Sequence, residues 1–330
     1  MRNFPPRSLA ARLGWLLCLL ALSQGNLQLQ VTPAPAQSAF QTVAKVLKRQ
    51  PLWRLGLAIT VVMQLCFFLL AFALQFDKLT DLAGTLNFAV LALLSLQRAT
   101  CWRQKVLAAL VCVWALRLGS FLFYRVLKRK KDARFDAMRS KFFSFLGFWC
   151  FQMAWVWTVS LPLLLLEKRL SPALGWQDYL GWALWALGLL LEASADHTKL
   201  RFKATKPAAK AFIQHGPWAW SRHPNYAGEI LLWVGIALSA AAGLQGWRAY
   251  ACGVSPAFTA ALLLLLSGVN LAEQRAGQRY GNDPAYQAYR KRTSPLVPLP
   301  SSWYKRLPQW VKRTFLFEWR RYAQQGTGRL

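Results

Sequence analysis

The chain has 330 residues, of which 55% are apolar and only 16% are charged, whereas a soluble domain carries about a quarter charged residues. This composition excludes an intrinsically disordered chain, and the length of the apolar runs excludes an ordinary soluble enzyme. In a soluble protein, a net charge of +29 would suggest nucleic acid binding. Here the basic residues cluster in short segments between apolar runs, so we expect a membrane protein with no nucleic acid partner.

The beginning of the chain, residues 1–38, predicts a targeting segment followed by a linker. Three arginines precede an apolar stretch of only ten residues, 13–22, and a polar patch follows it. A basic start, a short apolar run and a polar exit resemble a signal peptide. The rest of the chain is predicted to form a membrane domain over 39–300 and a basic, aromatic tail over 301–330.

Seven apolar runs approach or reach the length that crosses a bilayer. They lie at residues 55–76, 82–96, 106–123, 142–166, 179–195, 227–244 and 251–271. The predicted fold class is therefore all-α, a polytopic membrane helix bundle of about seven transmembrane helices. The six cysteines form no C-x-x-C pair and lie mostly inside apolar runs, so we expect no metal site.

The Lys and Arg residues predict which side of the membrane each loop faces. The segments after the third, fifth and seventh runs are the most basic, and residues 125–141 alone hold eight Lys or Arg. With seven spans these segments share one side, which predicts a cytosolic C-terminus. The membrane would be the endoplasmic reticulum or another endomembrane in a eukaryote, and the cytoplasmic membrane in a bacterium.

The segment 216–230, with the sequence GPWAWSRHPNYAGEI, holds the densest group of polar residues at the start of an apolar run. Its Pro suits the first turn of a helix, which puts Asn225 and Glu229 one turn apart on one face. A carboxylate inside an apolar helix needs a partner. Arg222 and His223 lie just before this helix, where backbone N–H groups favour an anion such as phosphate. The alternative is an interfacial cap in which His223 is a satisfied polar residue.

A second group of ionisable residues lies after the fifth run. Four of them fall on one helical stripe: Glu192, Asp196, Lys199 and Lys203. Carboxylates beside basic residues suit a ribose hydroxyl together with a phosphate, and the alternative is a solvated helix end with internal ion pairs.

A single basic residue, Arg117, lies inside the third run, about two helical turns from its end. That is a long reach for its side chain to extend to the membrane surface. We therefore expect a partner inside the bundle, either Glu229 or a ligand phosphate.

The segment 273–298 is dense in Tyr, Arg and Lys. This composition suits aromatic stacking combined with phosphate binding, for which Tyr289 and Arg292 are candidates, and it equally suits a membrane-surface helix. The chain has no G-x-G-x-x-G after a strand, no G-x-x-x-x-G-K-[ST], no H-E-x-x-H and no G-x-S-x-G. A nucleotide would therefore bind through basic loops at the cytosolic ends of the helices.

The motif Trp218-x-x-Ser221-Arg-His-Pro-Asn-Tyr-x-Gly-Glu229 resembles the signature of the DUF1295 membrane proteins. These belong with the steroid 5-alpha-reductase (3-oxo-5-alpha-steroid 4-dehydrogenase) C-terminal-like family. Three further features agree in order and spacing: Asp196-x-x-Lys199-x-x-Phe202-Lys203, Arg117-Leu-Gly followed by Asp132-x-Arg134-Phe135-Asp136, and Tyr289-x-x-x-Thr293-Ser294-x-x-x-Pro298. The resemblance covers about residues 55–300.

This resemblance implies a membrane reductase that binds NADPH from the cytosol between its last helices. It would transfer hydride to a carbon–carbon double bond conjugated to a carbonyl, in a lipophilic substrate that enters from the bilayer. Asn225 and Glu229 would contact the nicotinamide end of NADPH and Asp196 the adenosine end, with Arg117 and Tyr289 also lining the cofactor. Together with the clusters above, the candidate cofactor-binding residues are Arg117, Asp196, Lys199, Lys203, Arg222, His223, Asn225, Tyr226, Glu229, Tyr289 and Arg292.

The sequence departs from the steroid reductases in its early helices. There the family holds the substrate carbonyl with a Glu and a Tyr, whereas the first three spans here offer Gln64, Asn87 and Tyr124 but no carboxylate. Tyr124 is the candidate proton donor, and the candidate catalytic residues are Tyr124 and Glu229.

A second class of enzyme has a similar motif. Membrane methyltransferases of the isoprenylcysteine carboxyl methyltransferase kind, which use S-adenosylmethionine, share Arg-His-Pro-x-Tyr-x-Gly and a Glu before a Tyr-Gly close, here Glu273 and Tyr280-Gly281. Asn225 followed by Glu229, together with Asp196-x-x-Lys199, favours the reductase. A non-enzymatic lipid-binding protein is a third possibility, but buried polar groups such as these are costly unless they are used.

Overall fold

The computed structural model describes residues 49–75, 80–128, 138–166, 173–205, 211–319 and 322. The predicted targeting segment 1–38 and the motif residues 132–136 lie outside these ranges. Within them every regular element is a helix, which confirms the predicted all-α class. The helices are α1 (Leu52–Ala73), α2 (Thr80–Gln97), α3 (Trp102–Lys128), α4 (Phe142–Leu165), α5 (Trp176–Ala204), α6 (Pro224–Ala242), α7 (Trp247–Ala251), α8 (Val254–Ala261), α9 (Val269–Tyr280), α10 (Pro284–Arg292), α11 (Ser301–Arg306) and α12 (Gln309–Thr314).

Six helical segments of the described chain are long and apolar enough to cross a membrane. They are Leu52–Ala73, Thr80–Gln97, Trp102–Leu127, Phe142–Leu165, Pro224–Ala242 and Trp247–Tyr280. They coincide with six of the seven predicted spans, and the protein is a multi-pass integral membrane protein. The remaining prediction, 179–195, lies within α5. Every 18-residue stretch of α5 includes at least two carboxylates, which lowers its hydropathy below that of the other six.

Helix α5 nevertheless lies beside α3 and runs in the same direction. Arg103 and Asp178, near the starts of the two helices, form an ion pair, as do Arg117 and Glu192 further along. The partners are separated by 75 residues in both pairs, so the two links are about 21 Å apart along each helix. The apolar middle of α5 therefore lies at the same depth as that of a membrane-spanning helix.

The antiparallel helices α5 and α6 meet at glycines. Two pairs form the contact: Gly188 with Gly228, and Gly181 with Gly235. A Cβ added to Gly188 would lie 2.6 Å from the carbonyl oxygen of Gly228, and one added to Gly228 would lie 2.5 Å from that of Gly188. Only glycine permits such an approach, as in other membrane helix pairs packed through small residues. Gly228 also lies against the backbone of Glu192, so this contact brings the following residue, Glu229, to α5.

The interior beside this contact is aromatic. The rings of Trp114 and Trp233 meet edge to face with their centroids 5.0 Å apart, and Phe88 packs against Trp114 at 5.1 Å. All three side chains are almost completely buried. Trp233 lies one helical turn beyond Glu229 in α6, so the carboxylate lies at the edge of the aromatic core.

The polar residues of the early spans hydrogen-bond to one another. The amide of Gln64 donates to Asn87 Oδ1 at 3.0 Å, and Gln152 donates to Gln64 Oε1 at 3.0 Å. These side chains are buried between α1, α2 and α4. The network therefore satisfies buried amides and stabilises the packing of three helices.

Candidate functional site

A cluster of ionisable side chains forms where α3, α5 and α6 meet. Arg117 Nη1 donates to Glu192 Oε1 at 2.5 Å, and its Nη2 donates to Asp196 Oδ2 at 2.7 Å. Arg117 thus has partners inside the bundle, as expected, and the side chains that accept its hydrogen bonds are Glu192 and Asp196 rather than Glu229. The two carboxylates lie one turn apart on α5 and can therefore reach the same guanidinium.

Glu229 completes this cluster from α6. Its carboxylate interacts electrostatically with Glu192, Asp196 and Arg117. No described residue donates a hydrogen bond to it. We call Glu192, Asp196 and Glu229 the carboxylate cluster; three acidic groups here face one guanidinium, so negative charge is in excess when all three are ionised.

Two buried oxygen atoms at the cluster accept no hydrogen bond from any residue that the structure describes. They are Asn225 Oδ1, one turn before Glu229, and Glu192 Oε2, the oxygen that Arg117 does not bind. A buried acceptor without a donor costs about 1–3 kcal/mol. Such atoms therefore suggest a place where the donors of a ligand bind.

Arg222 and His223 take part in a separate buried network. Arg222 pairs with Glu273 at 3.1 Å and with Glu318 at 3.0 Å, and His223 Nε2 lies 2.8 Å from Glu273 Oε1. Burial lowers the pKa of Arg222, but the two carboxylates raise it more, so the net direction is upward. Burial lowers the pKa of His223 in spite of Glu273, which favours the neutral form of the ring. Contact of either side chain with a cofactor stays a prediction.

Two predicted tyrosines lie near these networks. The ring of Tyr226 stacks on His223 with centroids 5.7 Å apart, and its hydroxyl group interacts electrostatically with Glu229 and Asp196. Tyr289 is buried, and its hydroxyl donates to the Trp218 carbonyl at 2.7 Å. Burial raises the pKa of Tyr289, so it stays protonated and holds the loop before α6.

The predicted basic residues lie around the ends of α5 and α10. The ammonium group of Lys199 lies 4.4 Å from the centre of the Trp218 ring. Lys203 is exposed one turn further along α5, and Arg292 donates to Gln214 Oε1 at 2.7 Å. These positions leave a positively charged rim beside the carboxylate cluster.

Tyr124, the predicted proton donor, lies on α3 seven residues after Arg117 and is 41% exposed. Seven residues are about two turns, so the two side chains share a face, with Tyr124 nearer the helix end. A role as proton donor stays a prediction.

Sequence reasoning missed three residues of these networks. Glu192 is on the predicted stripe, yet it is not among the residues predicted to bind the cofactor. Its position one turn before Asp196 could have indicated that it belongs to the same site. Glu318 lies in the predicted tail, 96 residues from Arg222, and Asp178 pairs with Arg103 far from the motifs. No local pattern indicates either pairing. In the part of the chain that the structure describes, no group of three or more His, Cys, Asp or Glu could hold a metal ion.

Fold and site together define a multi-pass helical membrane protein with a buried carboxylate–arginine cluster at one end of its bundle. The chain belongs to the DUF1295 family, described as "Protein of unknown function (DUF1295)", whose model matches residues 67–293. This match confirms the family suggested by the motifs, and it includes every candidate site residue. The family description names no activity, so the relationship to steroid 5-alpha-reductases stays a prediction. No curated protein and no solved structure matches the chain.

Proposed function

We propose that the protein is a membrane reductase that uses NADPH to reduce a carbon–carbon double bond conjugated to a carbonyl in a lipophilic substrate. The observation that carries this proposal is a set of acceptors that receive no hydrogen bond within the described part of the chain: Asn225 Oδ1, Glu192 Oε2 and the carboxylate of Glu229. The carboxamide and ribose groups of NADPH present N–H and O–H donors that fit these acceptors. When bound, NADPH supplies a hydride.

In this proposal the protein groups bind and orient. Arg117 holds Glu192 and Asp196 in place, which leaves the second oxygen of Glu192 free to accept from a hydroxyl group. Asn225 and Glu229, one turn apart on α6, form two points that fix the rotation of a planar amide. Lys199 and Lys203 lie at the rim, where cations bind phosphate groups.

The same helices exclude water from the reacting region. Trp114 and Trp233 are buried in the bundle, with Trp233 one helical turn beyond Glu229 on α6, and a dry site strengthens electrostatic interactions with charge that develops during the reaction.

One observation favours the methyltransferase alternative. Three carboxylates face one guanidinium, and excess negative charge would also suit the ammonium and sulfonium groups of S-adenosylmethionine. Glu273, which resembles the acidic residue of that class, is instead bound to Arg222 and His223.

Ligand titration of the purified protein tests both proposals. We expect NADPH to bind more tightly than NADH, because its additional phosphate gains basic partners. The double variant Lys199→Gln/Lys203→Gln should reduce that difference, whereas Lys141→Gln, which removes an exposed charge at the start of α4, should not. Equal affinity for NADPH and NADH would contradict the phosphate assignment. If S-adenosylmethionine binds and NADPH does not, the result would support the methyltransferase.

We further propose that the carboxylate cluster and the C-terminus face the cytosol. The support is the excess of Lys and Arg in the loops on this side, together with α5 lying beside α3 as a seventh crossing. A reporter protein fused to Leu330 should be active only on the cytosolic side of the membrane. That membrane would be an endomembrane in a eukaryote and the cytoplasmic membrane in a bacterium. Activity of the fused reporter on the opposite side alone would overturn this orientation.

A further inference from the structure

The chain after the last span does not extend away from the bundle but packs against it. Leu299 N donates to the Trp220 carbonyl at 3.1 Å, and Ser301 Oγ donates to that of Ala219 at 3.3 Å. Both carbonyls lie within five residues of Pro224, where the membrane-spanning part of α6 begins. The segment 301–317, which contains α11 and α12, therefore starts at the boundary of the membrane. We call it the C-terminal surface segment.

Contacts on its inner face fix this segment in place. The Tyr304 hydroxyl donates to Glu318 Oε2 at 2.6 Å, and Glu318 in turn pairs with the buried Arg222. The ammonium group of Lys312 packs over the Tyr304 ring at 4.7 Å. Beyond the segment, the Tyr322 hydroxyl donates to the Leu264 carbonyl in the last span at 2.8 Å.

The outer face presents large aromatic side chains. Trp303 and Trp310 are each 65% exposed, and Phe315 is 61% exposed. Trp220, 57% exposed, adds to them from the loop before α6. Large aromatic side chains are costly to expose to water, whereas Trp is enriched at the interface between bilayer and water. A neighbouring lipid surface would cover them.

Positive charge accompanies these rings. Residues 284–317 contain seven Lys or Arg and no Asp or Glu. Lys305, Arg306 and Arg313 are exposed, and none of the three forms an ion pair with a described residue. Basic residues close to a membrane surface attract anionic headgroups.

We propose that the C-terminal surface segment binds the bilayer surface and recruits anionic phospholipids, with Trp303, Trp310 and Phe315 in the interface and Lys305, Arg306 and Arg313 on the headgroups. Its position at the start of α6 and its uniform positive charge support a lipid surface over another macromolecule. The inference does not depend on NADPH or on any activity.

Quenching of Trp fluorescence by brominated lipids tests this proposal on the full-length protein in nanodiscs. One sample contains brominated phosphatidylglycerol diluted into phosphatidylcholine, and the other contains brominated phosphatidylcholine at the same mole fraction. The fluorescence contributed by Trp303 and Trp310 is the difference between the unmodified protein and the double variant Trp303→Phe/Trp310→Phe. We expect that contribution to be quenched about twofold or more strongly by the anionic lipid.

Charge variants separate lipid recruitment from simple insertion. The triple variant Lys305→Gln/Arg306→Gln/Arg313→Gln should make the two lipids quench Trp303 and Trp310 equally, whereas Lys141→Gln should preserve the difference. Equal quenching in the unmodified protein would overturn the recruitment of anionic lipid. Failure of both lipids to quench these two residues would overturn the membrane contact itself.

Discussion

Glu229→Gln is expected to weaken NADPH binding by about 1.5–3 kcal/mol, the range for hydrogen bonds to charged groups, or roughly 10- to 150-fold. Thermal stability should be unchanged or higher. The reason is that Glu229 has no donor among the described residues and lies beside Glu192 and Asp196, so removing its charge relieves repulsion. Melting temperature and NADPH affinity, measured on the same preparation, give both results.

The matched control is Asp283→Asn, which removes one carboxylate charge outside the site. Asp283 caps α10 by accepting from Ala285 N at 2.8 Å, and Asn caps a helix equally well. This variant should bind NADPH like the unmodified protein. A sharp fall in melting temperature for Glu229→Gln would mean that the carboxylate is a structural partner of Arg117. Unchanged affinity with unchanged melting would remove Glu229 from the binding site.

The helical class and six of the spans could be predicted because apolar runs are a local property of the sequence. The stripe of Glu192 and Asp196 was predictable for a similar reason, since helical spacing alone puts them on one face. The motif around Asn225 indicated a polar site at a helix start, and the structure brings Arg117 from α3 to the same place.

What could not be predicted depends on pairing between distant helices. Arg117 was expected to meet Glu229 or a ligand phosphate. The contact of Gly188 with Gly228 sets the register of α5 on α6, and the carboxylates that accept the hydrogen bonds of Arg117 are Glu192 and Asp196. The ion pair of Glu318, in the predicted tail, could not be predicted for the same reason, because its partner Arg222 lies 96 residues earlier in the chain. Composition describes 301–330 as basic and aromatic, but not which side chains point inward.

The ion pair at the other end of the bundle offers a test of stability alone. Arg103 and Asp178 are at most 1% exposed, and two hydrogen bonds of 2.7 Å join them. Arg103→Met should destabilise the protein by about 3–5 kcal/mol, because it leaves a buried charge without its partner. The folded fraction should still bind NADPH normally, since Arg103 lies about 21 Å from Arg117 along α3.

The double variant Arg103→Met/Asp178→Asn separates the stranded charge from the lost packing. Asn removes the second charge; its one amide oxygen can still accept from the Gly175 N–H, and its NH2 group can donate to the Ser239 hydroxyl, which then accepts instead of donating. Because leaving one buried charge unpaired costs more than removing both, the double variant should recover most of the lost stability. Unfolding of the single and double variants in the same detergent gives the coupling energy of the pair. A double variant no more stable than Arg103→Met would show that the side chain of Arg103 acts by filling space between α3 and α5, and that its charge contributes little.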